Sequence, residues 1–569
     1  MPEWRLNRRA FCELGLACAG TVFGQAISAT PEPSVQGAKQ VSAPDPFLQL
    51  AWRHQWVDHD PHLWPYGMRL CLQIPTSNPQ KLRAMHGPGV KLQSHFQAQG
   101  HTWATFWCDA SSFNDWFTRV AWPSCTDHLW GAPWSDTGSI DGKATNTNTS
   151  RVPSPEAKTL SHSASPSPAK GTQRCLVIDQ GFPIDLLVQE GFSFRHRSGP
   201  AIASNPSWHP TTSHAAQVLG QLRSAVSPSA FDPESPCLLY ELPKALNQTI
   251  PLGALWPEVV DAICWAISDC VPGSTLTVML SVVSTDGDRH PHSFISRCAS
   301  ALRAHAQCLG VQLCWLMAAG NSHCDQQNLR WFISAHHSVE WEWHLPPQNH
   351  RPSFLECWFS APPESFSISV SPPPNSDHDA LVWDMAQRTH GASNRTQTVL
   401  RLPPSTTWAS TQTLARPGPW RIKVSAQKDL TLDAHLSLMA SPGTGVFRQA
   451  RIQDLSPAQA LDLISVSGLI PWMPDVWAVQ CLQLDVSADT VWQPDAQQLT
   501  PFSGRWPANI NPHGLQSIGV RLDDTSLRRG VLAHTTHGHR MHRVNGTSMA
   551  VPRAWRALKS NPRAAPWAA

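Results

Sequence analysis

The sequence predicts an α/β fold, a parallel sheet with helices on both faces, accompanied by an inserted β-sandwich and a small α+β amino-terminal unit. Two observations carry this prediction. Continuous apolar runs at Cys175–Ile178, Thr275–Val283 and Val311–Ala319 read as strands buried on both faces, and helical patterns at Glu258–Asp269 and His292–Leu309 separate them. Strands alternating with helices of that length belong in a parallel sheet. After about residue 335 the rhythm changes to short strand-like segments divided by Pro, Ser, Asn and Asp turns, as in a sandwich.

Taken in order, the chain opens with Arg5, Arg8 and Arg9, an apolar stretch from Leu14 to Ile27, and the small pair Ser28–Ala29. Residues 1–29 read as a signal peptide, so the protein is expected to be exported, to a periplasm or the medium. Arg8-Arg9-Ala10-Phe11 also fits the twin-arginine route. The apolar stretch is too short for a permanent anchor, and no later run of 18 apolar residues exists, so no stable membrane anchor is expected. Residues 43–133 form the small α+β unit, with strand-like Gly67–Pro75 and Val90–Cys108 and a short helix at Ser111–Val120. Residues 134–173 are rich in Ser, Thr and Pro, the composition of a flexible linker. The first part of the α/β domain covers 174–334, the inserted sandwich 335–500, and the second part 501–569. Sandwich strands are expected at Ser338–Leu345, Ser353–Ser360, Ser365–Val370, Thr398–Leu402, Trp420–Ala426 and Val476–Val486.

Composition excludes several functions. Lys+Arg 43 against Asp+Glu 41 gives a net charge of +2, which rules out a nucleic-acid binder driven by bulk charge. The chain contains no H-E-x-x-H, C-x-x-C, G-K-[ST] or G-x-G-x-x-G motif, so no metal and no cofactor is expected. His534, His537, His539 and His542 are spaced as a cluster, but a solvated loop is the simpler reading. Of 15 cysteines, Cys12 and Cys18 would leave with the signal, and the rest show no disulfide framework; Cys175, Cys264 and Cys314 sit in apolar segments as buried thiols.

The chemistry lies in four short segments. Gly546-Thr547-Ser548-Met549-Ala550-Val551-Pro552 leads into a helical run and presents a serine where the positive helix end favours an anion. Such a serine needs a base and an orienting acid. In α/β-hydrolases both follow the nucleophile, but residues 549–569 hold no Asp, Glu or His, so the partners lie upstream. Asp179 ends the first buried strand, where α/β sheets carry their sites. His214 begins a small-residue helix, H-A-A-Q-V-L-G, and Ala318-Ala319-Gly320-Asn321 follows the third buried strand with a side-chain amide. Taken singly, each has a plainer reading: Asp179 and Asn321 as turn residues, Ser548 as a helix cap, and His214 as one histidine among 27.

In the order Asp179, His214, Asn321, Ser548 the chain resembles the subtilisin-like serine peptidases. The similarity rests on D-Q-G, H-A-A-Q-V-L-G, A-A-G-N and G-T-S-M-A-V-P and covers about 174–330 and 501–569. The family's Asp-Thr-Gly reads Asp179-Gln180-Gly181 here, and its His-Gly-Thr reads His214-Ala215-Ala216. The resemblance implies an endopeptidase whose Ser548 attacks the peptide carbonyl, with His214 as proton carrier and Asp179 holding the imidazole. Asn321 and the Ser548 N–H would form the oxyanion hole. Ser281-Val282-Val283 would pair with substrate as an added strand, although the family has Gly at the Val283 position. The expected partners are a protein or peptide substrate and the chain's own amino-terminal unit acting as a pro-segment. Two other readings stand beside this one: a binding protein with a vestigial triad that works through the β-rich insertion, and a serine esterase on the same scaffold.

Overall fold

The computed structural model describes residues in segments between 46 and 560, the longest being 84–108, 252–281, 292–321, 328–347, 353–374, 394–405, 414–438, 488–500 and 547–560. The expected signal peptide, most of the expected linker, Gln180, Val282, Val283, His537 and His539 lie outside the described residues. Among the described residues no helix is long and apolar enough to cross a membrane.

The chain first builds an antiparallel sheet from β1 (Met68–Ile74), β2 (Val90–Ala98), β3 (His101–Cys108) and β4 (Asp127–Gly131), in the order β2-β3-β1-β4. There follow β5 (Leu160–Ser161), β6 (Gln173–Asp179), β7 (Phe194–Ser198), helix α1 (His214–Arg223) and β8 (Cys237–Glu241). Helix α2 (Leu252–Ser268), β9 (Thr275–Leu280), helix α3 (Phe294–Cys308) and β10 (Gln312–Ala318) complete this stretch. Helix α3 begins at Ser293, whose hydroxyl accepts the Ser296 N–H at 3.1 Å and so satisfies one of the orphan donors of the first turn.

Residues 328–454 then form two packed antiparallel sheets. One contains β11 (Asn328–Ile333), β13 (Ser353–Phe359), β15 (Asp384–His390), β16 (Arg395–Leu402) and β18 (Leu430–Leu438), in the order β11-β18-β13-β16-β15. The other contains β12 (Ser338–Leu345), β14 (Phe366–Ser371), β17 (Gly418–Ala426) and β19 (Arg451–Asp454), in the order β14-β17-β12-β19. Strict alternation along β12 turns Val339, Trp341, Trp343 and Leu345 inward, where they meet Trp331 and Trp420. Trp331 and Trp341 stack with their ring centroids 4.7 Å apart. Among the described residues of the sandwich, the tryptophans therefore fill the core rather than form an exposed aromatic surface.

β20 (Val476–Leu482), β21 (Thr490–Trp492), β22 (Gln516–Arg521), the hairpin β23 (Val531–His534) and β24 (Met541–Val544), and helix α4 (Thr547–Ser560) close the chain. The main sheet has nine strands in the order β21-β22-β20-β10-β9-β6-β8-β7-β5, parallel from β22 through β7 and antiparallel at both edges. One expectation is corrected here. Val476–Leu482 does not belong to the sandwich; it pairs in parallel with β10 and with β22 at the heart of the main sheet. The physical reason is that its side chains fill both cores of the main sheet: Val476 and Ala478 lie in the core with α2 and α3, and Trp477, Val479 and Cys481 in the core with α1 and α4.

Side chains of β6 alternate between two cores. Leu176 and Ile178 join α2 and α3 on one face, and Cys175 and Val177 join α1 and α4 on the other. Helix α2 carries Trp256, Val259, Val260, Ile263 and Ile267 at helical spacing toward the sheet. Its other side meets the amino-terminal sheet across a buried ionic cluster. Arg69 Nε donates to Glu258 Oε1 at 2.7 Å, and Arg69 Nη2 donates to Glu258 Oε2 at 2.9 Å and to Asp261 Oδ2 at 2.6 Å. Tyr240 Oη also donates to Glu258 Oε2, at 2.8 Å, and the hydroxyls of Ser94 and Thr105 donate to Asp261. The opposite face of the same sheet, with Leu70, Leu72 and Phe106, shares a core with Phe117 and with Ala386 and Val399 of the sandwich.

Candidate active site

The site is assembled at the carboxyl ends of β6, β9 and β10. Asp179 is the last residue of β6 and is fully buried, its backbone oxygen held by the Leu242 N–H at 2.8 Å. A carboxylate in that position needs donors. His214 Nδ1 supplies one, lying 2.8 Å from Oδ1 and 2.9 Å from Oδ2, and Ser281 Oγ supplies another by donating to Oδ2 at 2.5 Å.

His214 is the first residue of α1, so its ring sits ahead of the helix, while Ala215, Val218, Leu219 and Leu222 bury the helix against the sheet. Helix α1 also packs against α4 in the same core. The ring lies in dense surroundings yet keeps 38 % of its side-chain surface accessible, with Nε2 as the edge not bound to Asp179. Burial acts to lower the His214 pKa, but attraction to Asp179 and the hydrogen bond outweigh it, and the net result is a pKa raised above 6.5. The carboxylate also fixes the tautomer with the proton on Nδ1 and the lone pair on Nε2.

Asn321 follows Gly320, whose φ of 99° lies in the left-handed region that only glycine occupies easily. That turn carries the Asn321 side chain to the start of α4. Its Oδ1 accepts the Thr547 N–H at 2.8 Å and the Thr547 hydroxyl at 3.1 Å. The Thr547 oxygen in turn accepts the Gly320 N–H at 3.1 Å. Asn321 thus caps the helix that bears Ser548, and this anchoring of Oδ1 leaves the amide NH2 without a partner among the described residues.

Ser548 is the second residue of α4 and is 8 % exposed. Its hydroxyl donates to the Ser281 backbone oxygen at 2.8 Å, and no hydrogen bond joins it to His214 among the described residues. Four turns of helix behind it are packed through Met549, Ala550, Val551, Ala554 and Leu558, and Pro552 withholds the N–H that would otherwise bond the Ser548 carbonyl.

The structure therefore brings Asp179, His214 and Ser281 into one hydrogen-bonded unit, and Asn321 and Thr547, the residue before Ser548, into another. Ser281 joins the two, its hydroxyl on Asp179 and its carbonyl on Ser548. Sequence reasoning assigned Ser281 to substrate pairing and did not find its bond to Asp179; its place just past a buried strand was the only signal. Thr547 was missed as a brace, although it stands inside the serine motif. Chemically, the arrangement offers a buried acid, an imidazole whose Nε2 has no hydrogen-bond partner among the described residues, a hydroxyl at a helix start and a side-chain amide beside it.

No protein-family model matches the chain, and no curated protein matches it. Among solved structures it is similar to the Clostridium perfringens CspB protease, with a TM-score of 0.44 and 12% identity over 69% of this chain and 85% of that one.

Proposed function

We propose that the protein is a serine endopeptidase of subtilisin-like type, exported, and working through Asp179, His214 and Ser548 by an acyl-enzyme. The observation that carries this reading is the buried Asp179 carboxylate clasping His214 Nδ1, which leaves Nε2 as a base at the mouth of the site. Ser548 would turn about its Cα–Cβ bond from the Ser281 carbonyl toward Nε2, lose its proton to the imidazole and attack the peptide carbonyl. The oxyanion would meet the Asn321 NH2 and the Ser548 N–H at the positive end of α4. Collapse would pass the proton from Nε2 to the leaving amine, and water would then release the acyl group by the same route in reverse.

One observation favours a second reading, the catalytically vestigial binding protein: the Ser548 hydroxyl rests on Ser281 and not on His214. A fluorophosphonate probe separates the two. An active serine labels at Ser548, loses the label in Ser548→Ala, and accompanies hydrolysis of an unfolded protein substrate near neutral to alkaline pH. Folded, correctly processed protein that never labels refutes the enzyme, and labelling with ester but no peptide hydrolysis assigns an esterase. The amino-terminal unit would act as a pro-segment, with self-cleavage between residues 134 and 173 that is absent in Ser548→Ala.

A further inference from the structure

Beneath the candidate site, strands β6 and β8 carry a pair of cysteines that the proposed mechanism does not use. The two strands run parallel, and their register sets Leu176 opposite Leu238 and continues without a shift to Asp179 opposite Glu241. One step back along each strand stand Cys175 and Cys237, so both side chains leave the sheet on the same face. They enter the core with Val218, Leu219 and Leu222 of α1, where the two residues are 4 % and 1 % exposed. Their sulfurs lie 3.1 Å apart. On the flanking strands Cys237 has Phe194 opposite it and Cys175 has Thr277, and Cys314 stands one strand further, beyond Thr277. Across the sheet each sulfur therefore has the other as its nearest thiol. Neighbouring strands are about 4.8 Å apart, within the roughly 4.4–6.8 Å between Cα atoms that a disulfide spans. Closing the bond to its length of about 2 Å asks the sulfurs to approach by about 1 Å.

We propose that Cys175 and Cys237 close into a disulfide that ties β6 to β8 beneath Asp179. The oxidant is a low-molecular-weight disulfide such as glutathione disulfide. One cysteine thiolate attacks it, forming a mixed disulfide and expelling one glutathione thiolate. The other cysteine thiolate attacks the protein sulfur of that mixed disulfide, forming the cross-strand bond and expelling the second glutathione thiolate. Two protein thiols give up two protons and two electrons, and one glutathione disulfide takes them up as two glutathiones. The pairing of β6 with β8 is enough to bring the sulfurs together. Their cover is a separate event, supplied by α1 and, from the far end of the chain, by α4. Exchange therefore has its geometry in the paired strands before that face is closed. Afterwards burial first, then the contact with Cys175, pushes the Cys237 thiol well above its usual range, and exchange stops in the finished core. The chemistry of the bond needs no peptidase, but in the cell it rests on the proposed export, since an oxidising compartment must supply the disulfide. Its consequence reaches the site, because the same two strands seat Asp179, whose backbone oxygen accepts the N–H of Leu242, the residue after β8.

The test is peptide mapping of full-length protein refolded with glutathione disulfide, blocked with N-ethylmaleimide in denaturant and digested with trypsin without reductant. The expected product is the peptide 175–195 joined to 224–244, lost on adding reductant and absent in Cys237→Ser. Folded wild-type protein in which both peptides carry only maleimide overturns the proposal, as does 175–195 joined instead to 304–330, which contains Cys314. The refolded protein has crossed no membrane, and repeating the map on Ser548→Ala removes any self-digestion. Failure of the bond is thus read apart from failure of the export or peptidase readings. The linked peptide must appear in both proteins.

Discussion

Replacing Arg69 by Met removes one cation from a site where it answers two carboxylates. Arg69, Glu258 and Asp261 are each at most 2 % exposed, so water cannot take over. The guanidinium donates three bonds of 2.6–2.9 Å and makes a further close contact with Asp261. Removing one partner of such a buried pair costs about 3–5 kcal/mol, because the carboxylates stay behind desolvated and facing each other. At about 2–4 °C per kcal/mol for domains of this size, the unfolding transition should fall by roughly 10 °C at pH 8. Burial already holds the Glu258 pKa above its ordinary value, and losing Arg69 raises it further. A carboxylate whose folded pKa is raised destabilises fully above that pKa and not at all below its unfolded value. The gap between variant and wild type should therefore narrow as the pH falls from 8 toward 4.5. Adding Glu258→Gln and Asp261→Asn to Arg69→Met should recover much of the loss at pH 8. Calorimetry at three pH values reads all of this. A single variant within about 3 °C of wild type at pH 8, or a loss independent of pH, would refute the reasoning.

Three changes test the candidate site, each by steady-state kinetics on a peptide. In the wild type, kcat/KM should rise with pH through a His214 pKa above 6.5; in Asp179→Asn burial alone remains and the limb should move below 6.5, with kcat down about ten-thousandfold. An unmoved limb would mean that another group titrates. Ser281→Ala removes the 2.5 Å bond to Asp179 and should lower kcat roughly ten- to a hundredfold with KM unchanged, because a hydrogen bond to a charged group contributes about 1.5–3 kcal/mol. A raised KM at constant kcat would return Ser281 to substrate pairing alone. Asn321→Asp keeps the oxygen that caps Thr547 but loses the NH2, so turnover should drop a hundredfold or more, as in Asn321→Ala, while only Asn321→Ala loses roughly 1 kcal/mol of helix capping. Full turnover in Asn321→Asp would show that the residue is a cap and nothing more.

Much of the main sheet was legible because strands buried on both faces are written as unbroken apolar runs. Cys175–Ile178 and Leu313–Ala318 are of this kind, Thr275–Leu280 is interrupted only by Thr277 after its first residue, and the Ser293 cap and Gly310 stop bracket α3. The same rule was available for Val476–Leu482, which is apolar at every position but Gln480, yet the turn-rich segments before it set a misleading context. Phe194–Ser198 gave no signal at all. It reads F-R-H-R-S, and its place in the sheet depends on partners far along the chain, such as the His196–Glu241 contact at 2.9 Å. At the site, Asp179, His214, Asn321 and Ser548 were marked by residue type and local setting. What no local pattern could show was Ser281 standing between the two halves, because that role is defined only by contacts 102 and 267 positions away.

Those separations bear on the order in which the molecule comes into being. Asp179, His214, Ser281 and Asn321 are all synthesised before the sandwich, and Thr547 and Ser548 after it. The contact from Thr547 back to Asn321 spans 226 positions, and that from Ser548 to Ser281 spans 267. Main-sheet strands β20 and β22 must also be inserted beside β10 before α4 has a surface to lie on. A nascent chain thus carries Asp179, His214 and Asn321 long before Ser548 is made. Non-local closure of this kind is slow, and it makes the docking of Ser548 against Ser281 one of the last events of folding.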